Sequence, residues 1–207
     1  STGVFFKADS GGALADALYY LKEKKNPGLK IKALKAIDQQ SKIHYFAPNG
    51  SGLDLGEEAA EPLRGLINLL KNSGDYDYVV IDLSSQLNTN NLAALEASDT
   101  ILLVMTPEPN CQEKVKLFIT ELSRWSARQK SSLPERIYPL WNKWPAGLAG
   151  EEYQNSTVKE PLARIPWVDG LLLKQGEHCR LDLNGSFGTA LYQVRTRLKE
   201  LDGGKNG

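Results

Sequence analysis

Asp82 stands at the end of the apolar run Tyr78-Val79-Val80-Ile81, and Leu83 and the polar triplet Ser84-Ser85-Gln86 come directly after it. A short helical stretch and a second apolar run, Thr100 to Met105, follow. Two strands joined through a helix are expected to be parallel neighbours in a sheet covered on both faces. In open sheets of that kind ligands bind beyond the carboxyl ends of the strands, which puts Asp82 and its loop in a ligand-facing position. The plainer reading of the same carboxylate is a cap on the turn at a strand end. Other reactive residue types offer less. His44 and His178 are far apart and Cys179 adjoins only the second, so the spacing of a zinc site is missing. No serine sits in a G-x-S-x-G setting, so nothing supports a nucleophile elbow.

The bulk numbers narrow the class of protein that must hold this loop. The chain has 207 residues, 41% of them hydrophobic and 24% charged, which suits one large domain with a sizeable core. Its 25 basic and 25 acidic residues cancel, so net charge does not advertise nucleic acid. Only two cysteines, Cys111 and Cys179, occur, which suits a reducing compartment better than a disulfide scaffold. No apolar run approaches the roughly 20 residues of a membrane span, and a cytoplasmic protein is expected.

The positioning elements follow from periodicity. Leu14, Leu18 and Leu21 share one face of a helix from Gly12 to Lys24, with Asp9 or Ser10 as its cap and Asn26-Pro27-Gly28 as its stop. Lys30 to Ile37 has no clear period. A short strand in KIHYFAP ends at Pro48-Asn49-Gly50. Leu63, Leu66, Ile67 and Leu70 follow the i, i+3, i+4, i+7 rule in a helix from Glu57 to Asn72. After the strand Tyr78 to Leu83, a helix Asn90 to Ala97 and the strand Thr100 to Met105, a helix is expected over Gln112 to Trp125. Arg124, Arg128, Lys130 and Arg136 lie in a basic connection after it, read either as a solvated linker or as a contact for nucleic acid or lipid. A strand from Arg136 to Trp141, a loop from Trp144 to Thr157, a short strand at Ala163 to Ile165 and a helix from Ser186 to Leu201 complete the order. Strand alternating with helix predicts an α/β fold with a mainly parallel sheet.

The segments YDYVVIDLSSQL, AALEASDTILLVMTPEP, YPLWNKW and ARIPWVDGLLLKQGE resemble, in order and spacing, the MinD/ParA group of deviant-Walker P-loop ATPases. Within that group the sequence is most similar to the CpaE/TadZ branch, which localises pilus-assembly machinery at a cell pole, with MinD itself and chromosome-partitioning ParA as close rivals. The resemblance implies a P-loop NTPase-like α/β domain of three layers over residues 1–207, with helices on both faces of the sheet. The family's lysine-bearing glycine loop has no counterpart here, since Gly11-Gly12 carry no lysine beside them. The expectation is either a longer protein, whose missing N-terminal strand and phosphate loop precede Ser1, or a branch that has given up hydrolysis.

The resemblance also implies roles. Asp82 becomes the acid that holds Mg²⁺ through water, because that ion keeps most of its waters and prefers carboxylate and phosphate oxygens. Ser84, Ser85 and Gln86 occupy the loop that senses the γ-phosphate. Asn142 reads the adenine edge, since an amide both donates and accepts, and Lys143 packs its stem over the base. Pro166, Trp167 and Val168 border the base. The cofactors implied are ATP and Mg²⁺. The partners implied are a second copy in a nucleotide-dependent homodimer and a protein of an assembly or positioning system, with placement at a cell pole or against a membrane. For the membrane, the terminal helix with Arg195, Arg197 and Lys199 is a candidate, although its apolar stripe also suits the core. A non-hydrolysing pseudo-ATPase scaffold and a DNA-partitioning ATPase, the latter using Arg124, Arg128, Lys130 and Arg136, are the rival readings.

Overall fold

Three strands carry the parallel pairing that the strand-helix order predicts. β3 (Ile101–Met105), β4 (Ile137–Trp144) and β5 (Arg164–Pro166) form a parallel sheet in that order, with Ile101 beside Ile137 and Met105 beside Trp141. The computed structural model describes residues 11–23, 27–39, 41–47, 56–147, 159–175 and 178–203. The chain divides into two compact units, Ser1–Ser98 with Lys174–Arg180, and Asp99–Leu173 with Leu181–Gly207.

In the second unit the two faces of the sheet are covered by different helices. Side chains alternate along a strand, so register neighbours in adjacent parallel strands share a face. Met105 and Trp141 point to one side, where they meet Val115, Ile119 and Cys111 of α5 (Pro109–Gln129). Leu140, Ala163 and Ile165 point to the other, where Phe187, Ala190 and Val194 of α6 (Gly185–Gly203) close over them. The result is the three-layer α/β arrangement expected. α5 begins earlier and ends later than its apolar stripe suggests, because Pro109 is tolerated in the first turn and Lys130, with φ of 54°, provides a left-handed stop. Arg124 and Arg128 are therefore exposed on this helix rather than in a connection, while Arg136 is half-buried.

The first unit is mostly helical. α1 (Leu14–Lys22), α2 (Pro27–Leu34), α3 (Ala60–Asn72) and α4 (Thr89–Ala97) enclose a core of Ala17, Leu18, Ile31, Leu63, Leu66, Ile67 and Ala94. Pro27 opens α2 instead of merely stopping α1, the position where its missing N–H costs nothing. Arg64 of α3 pairs with Glu96 of α4 at 2.8 Å, and Lys71 Nζ donates to the Ala97 carbonyl at 3.1 Å. β1 (Ala36–Ile37) and β2 (His44–Tyr45) form an antiparallel pair, so the strand in KIHYFAP is shorter than its apolar run. β6 (Leu172–Gln175) and β7 (His178–Leu181) form a further two-stranded sheet that periodicity did not anticipate.

One expected strand is not laddered. Tyr78 to Leu83 alternates as a strand should, with Ile81 and Leu83 against the core and Val80 90% exposed, yet it carries no sheet pairing among the described residues. The physical reason is that alternation fixes which side chains turn inward, whereas a strand also needs a neighbour to bond. The expected helix cap at Asp9 or Ser10, the turn at Pro48-Asn49-Gly50 and most of the loop from Trp144 to Thr157 lie outside the described residues. Among the described residues no helix is long and apolar enough to cross a membrane.

Candidate functional site

Lys143 and Trp167 meet in the second unit, with Asn142 beside the first and Pro166 and Val168 flanking the second in the chain, where β4 carries one residue more than β5 between matched positions. Trp141 pairs with Arg164 and Trp144 with Pro166, so three steps on β4 oppose two on β5. This bulge is absorbed at Lys143, whose φ of 55° is left-handed. Bulges bend a strand and re-aim side chains, and both effects are visible here. Trp141 and Trp144, which three regular steps would send to opposite faces, lie on the same face with ring centroids 5.4 Å apart. The Lys143 N–H is satisfied by Asn142 Oδ1 at 2.9 Å.

Lys143 Nζ lies 5.2 Å from the centroid of the Trp167 ring. Trp167 is 54% exposed, its backbone N–H donates to the Trp144 carbonyl at 2.9 Å, and its indole Nε1 donates to Asp169 Oδ1 at 3.0 Å. One hydrogen bond thus holds the backbone and one the ring while much of the ring's surface faces solvent, the condition for stacking on a flat ligand. Val168 packs on the core beneath α6. Asp169, which fixes the indole, was not singled out from sequence; an acid two residues after an exposed tryptophan was the available signal. The platform lies at the carboxyl ends of β4 and β5, the side where α/β sheets bind ligands. A separate open cavity of about 330 Å³, lined by Glu160, Arg164, Gln193 and Arg197 among others, lies at the amino end of β5 and includes none of these residues.

The left-handed Lys143 makes a stability prediction. A β-branched residue cannot adopt this φ without strain, so Lys143→Val is expected to cost about 1–3 kcal/mol. Lys143→Gly, relieved of strain but with a more flexible unfolded chain, should stay within about 1 kcal/mol of the parent. Urea denaturation midpoints of the two variants compare these directly; equal losses for both would mean that the bulge conformation is not what Lys143 contributes.

In the first unit, Asp82, Ser84, Ser85 and Gln86 are all exposed at the end of the extended segment. Their loop is fastened by a residue that sequence reasoning passed over. Asn91 of α4 is 92% buried (8% exposed), and its Nδ2 donates to the Ser84 carbonyl at 3.1 Å, to Ser84 Oγ at 3.0 Å and to the Gln86 carbonyl at 2.7 Å. Its own N–H is capped by Asn88 Oδ1 at 2.8 Å. An amide on the face shared with Ala94 and Leu95 was the signal available in the sequence. The sequence's paired glycines do other work. A Cβ on Gly11 would come within 2.6 Å of Ala36 Cβ, and one on Gly12 would run into Leu34, so both are committed to close packing on α2 and β1.

A layered α/β unit with parallel strands is an architecture that the P-loop ATPases share with other doubly wound folds. Among solved structures, the chain is similar to the MinC:MinD cell division protein complex of Aquifex aeolicus, with a TM-score of 0.56 and 18% identity over 79% of this chain and 62% of that one. It is also similar to a ParA family ATPase of Chlorobium tepidum TLS, with a TM-score of 0.60 and 14% identity over 95% of this chain and 71% of that one. At such identities the likeness establishes the fold. The chain spans 62% of the MinC:MinD structure's matched chain. No family model and no curated protein sequence matches it.

Proposed function

We propose that this chain is a MinD/ParA-like nucleotide-binding protein of the positioning type, with residues 1–207 serving as one ATPase-like domain. In this reading it is a cytoplasmic homodimer that switches with nucleotide and acts on a protein partner. Pilus assembly, the business of the CpaE/TadZ branch, is the system to which the sequence resemblance assigns it. The observation that supports the reading is the platform itself, where the Asn142 amide, the Lys143 stem and the half-open Trp167 ring share the carboxyl end of parallel β4 and β5.

Each residue has a definable task. Trp167 offers its exposed ring to a purine, with Pro166 and Val168 as its backbone supports. Asn142 supplies amide hydrogens and the remaining lone pair of its oxygen to the base edge. Asp82 suits Mg²⁺, since a single exposed carboxylate can hold that ion through its retained waters. When bound, Mg²⁺ would neutralise charge on the phosphate oxygens. Ser84, Ser85 and Gln86 face the γ-phosphate in this reading.

Stacking of a base on an aromatic side chain is worth about 1–3 kcal/mol. Trp167→Ala is therefore expected to weaken adenosine nucleotide binding by about 5- to 150-fold. Titration of ATP with Mg²⁺ against intrinsic tryptophan fluorescence and by calorimetry measures it. Unchanged calorimetric affinity in Trp167→Ala and Asn142→Ala would remove the base platform from the account.

A non-hydrolysing scaffold that keeps the fold and the dimer surface is the second reading. Dimerisation that ignores added nucleotide distinguishes it from the switch.

A further inference from the structure

We infer that Asn91 is the positioning residue of the Ser84 to Gln86 loop, and that it presets the Ser84 hydroxyl as a donor to an anionic phosphate-type oxygen. The inference rests on the nucleotide reading for its ligand and on the hydrogen-bond geometry for its positioning claim. One buried amide nitrogen reaches three acceptors in that loop: two backbone carbonyls, on Ser84 and Gln86, and the Ser84 hydroxyl oxygen. Two hydrogens serving three acceptors hold the peptide planes that follow Ser84 and Gln86 in one arrangement.

The contact with Ser84 Oγ has a directional consequence. A serine hydroxyl has one O–H and two lone pairs, and its hydrogen rotates to suit its neighbours. Asn91 Nδ2 donates into one lone pair, so the O–H does not point back at Asn91, and on an exposed residue it can reach an acceptor in solvent. That the acceptor is a phosphate-type oxygen comes from the nucleotide reading, and a hydrogen bond to an ionised acceptor is the stronger kind. Asn91 itself is buried and touches no ligand. It sits on α4, whose start is fixed independently by the Asn88 cap, so the helix does not depend on the amide for its N-terminus.

The test uses Asn91→Leu, which keeps the volume and removes the donors, and Asn91→Asp, which keeps the shape and cannot donate when ionised. Backbone hydrogen exchange is measured across residues 82–97, and calorimetry is run with two probes, ATP with Mg²⁺ and adenosine. Expected are at least ten-fold faster exchange at residues 84–87 with residues 92–97 unchanged, and ATP affinity lowered about 5- to 30-fold with adenosine affinity retained. Ser84→Ala should show the same probe selectivity and add little in the double variant with Asn91→Leu, because the two act as one unit. Equal loss of both probes, or faster exchange throughout α4, overturns the inference and makes Asn91 a simple structural residue. Should the parent chain bind neither probe, the nucleotide reading fails and takes the oxyanion preference with it. The exchange data then decide the positioning claim alone.

Discussion

Trp141→Ala should cost about 3–5 kcal/mol of stability, the usual range for removing a large aromatic from a core. Trp141 is 4% exposed and packs with Met105 of β3, Val115 of α5 and Trp144 of its own strand. The cavity left would be bounded by a parallel ladder on one side and a 21-residue helix on the other, neither of which can collapse into it cheaply. The loss also reaches the platform, because Trp141 immediately precedes the bulge that aims Asn142 and Lys143. A midpoint in urea and a near-ultraviolet circular dichroism spectrum measure both consequences. A loss below about 1 kcal/mol would mean that the face of the sheet under α5 is not the packed core described here.

The second large effect concerns Gly188 in the first turns of α6. At an ordinary helical position alanine is better than glycine by roughly 0.5–1 kcal/mol. At Gly188 the sign reverses, since an added Cβ would collide with the Leu183 carbonyl, a backbone group that cannot swing away. Relief requires α6 to shift, and α6 brings Phe187, Ala190 and Val194 onto Leu140, Ala163 and Ile165. Gly188→Ala is therefore expected to destabilise by about 1–3 kcal/mol. Gly203→Ala, where a Cβ meets nothing within 4 Å, is the control and should change stability by less than about 0.5 kcal/mol. Thermal and urea unfolding of the pair decide the matter, and a stabilised Gly188→Ala would contradict the close approach of Leu183.

What could be read in advance was what depends on local period. The stripe of Leu63, Leu66 and Ile67 located α3, and the apolar run before Met105 located β3, because burial of one face is enough to specify each. The α/β class followed from element order. Tyr78 to Leu83 shows the limit of this reasoning. Its alternation correctly sends Ile81 and Leu83 to the core, but pairing is a property of two segments and the pattern of one cannot supply the other. The platform was legible as residue types at strand ends and not as geometry. Nothing in YPLWNKW announces that Lys143 turns left-handed, and nothing in the helix expected over Asn90 to Ala97 announces that Asn91 reaches back to Ser84 and Gln86.

The bulge on β4 gives the platform a spare residue. A three-residue interval in a strand normally reverses the face, yet here it behaves as an interval of two, and both Trp141 and Trp144 remain under α5. Deleting Lys143 would leave those tryptophans two regular steps apart and still on one side. A chain one residue shorter could keep its interior and lose only the cation over Trp167. In evolutionary terms, position 143 is a place where the strand can lose a residue while the packing beneath it stays as it is.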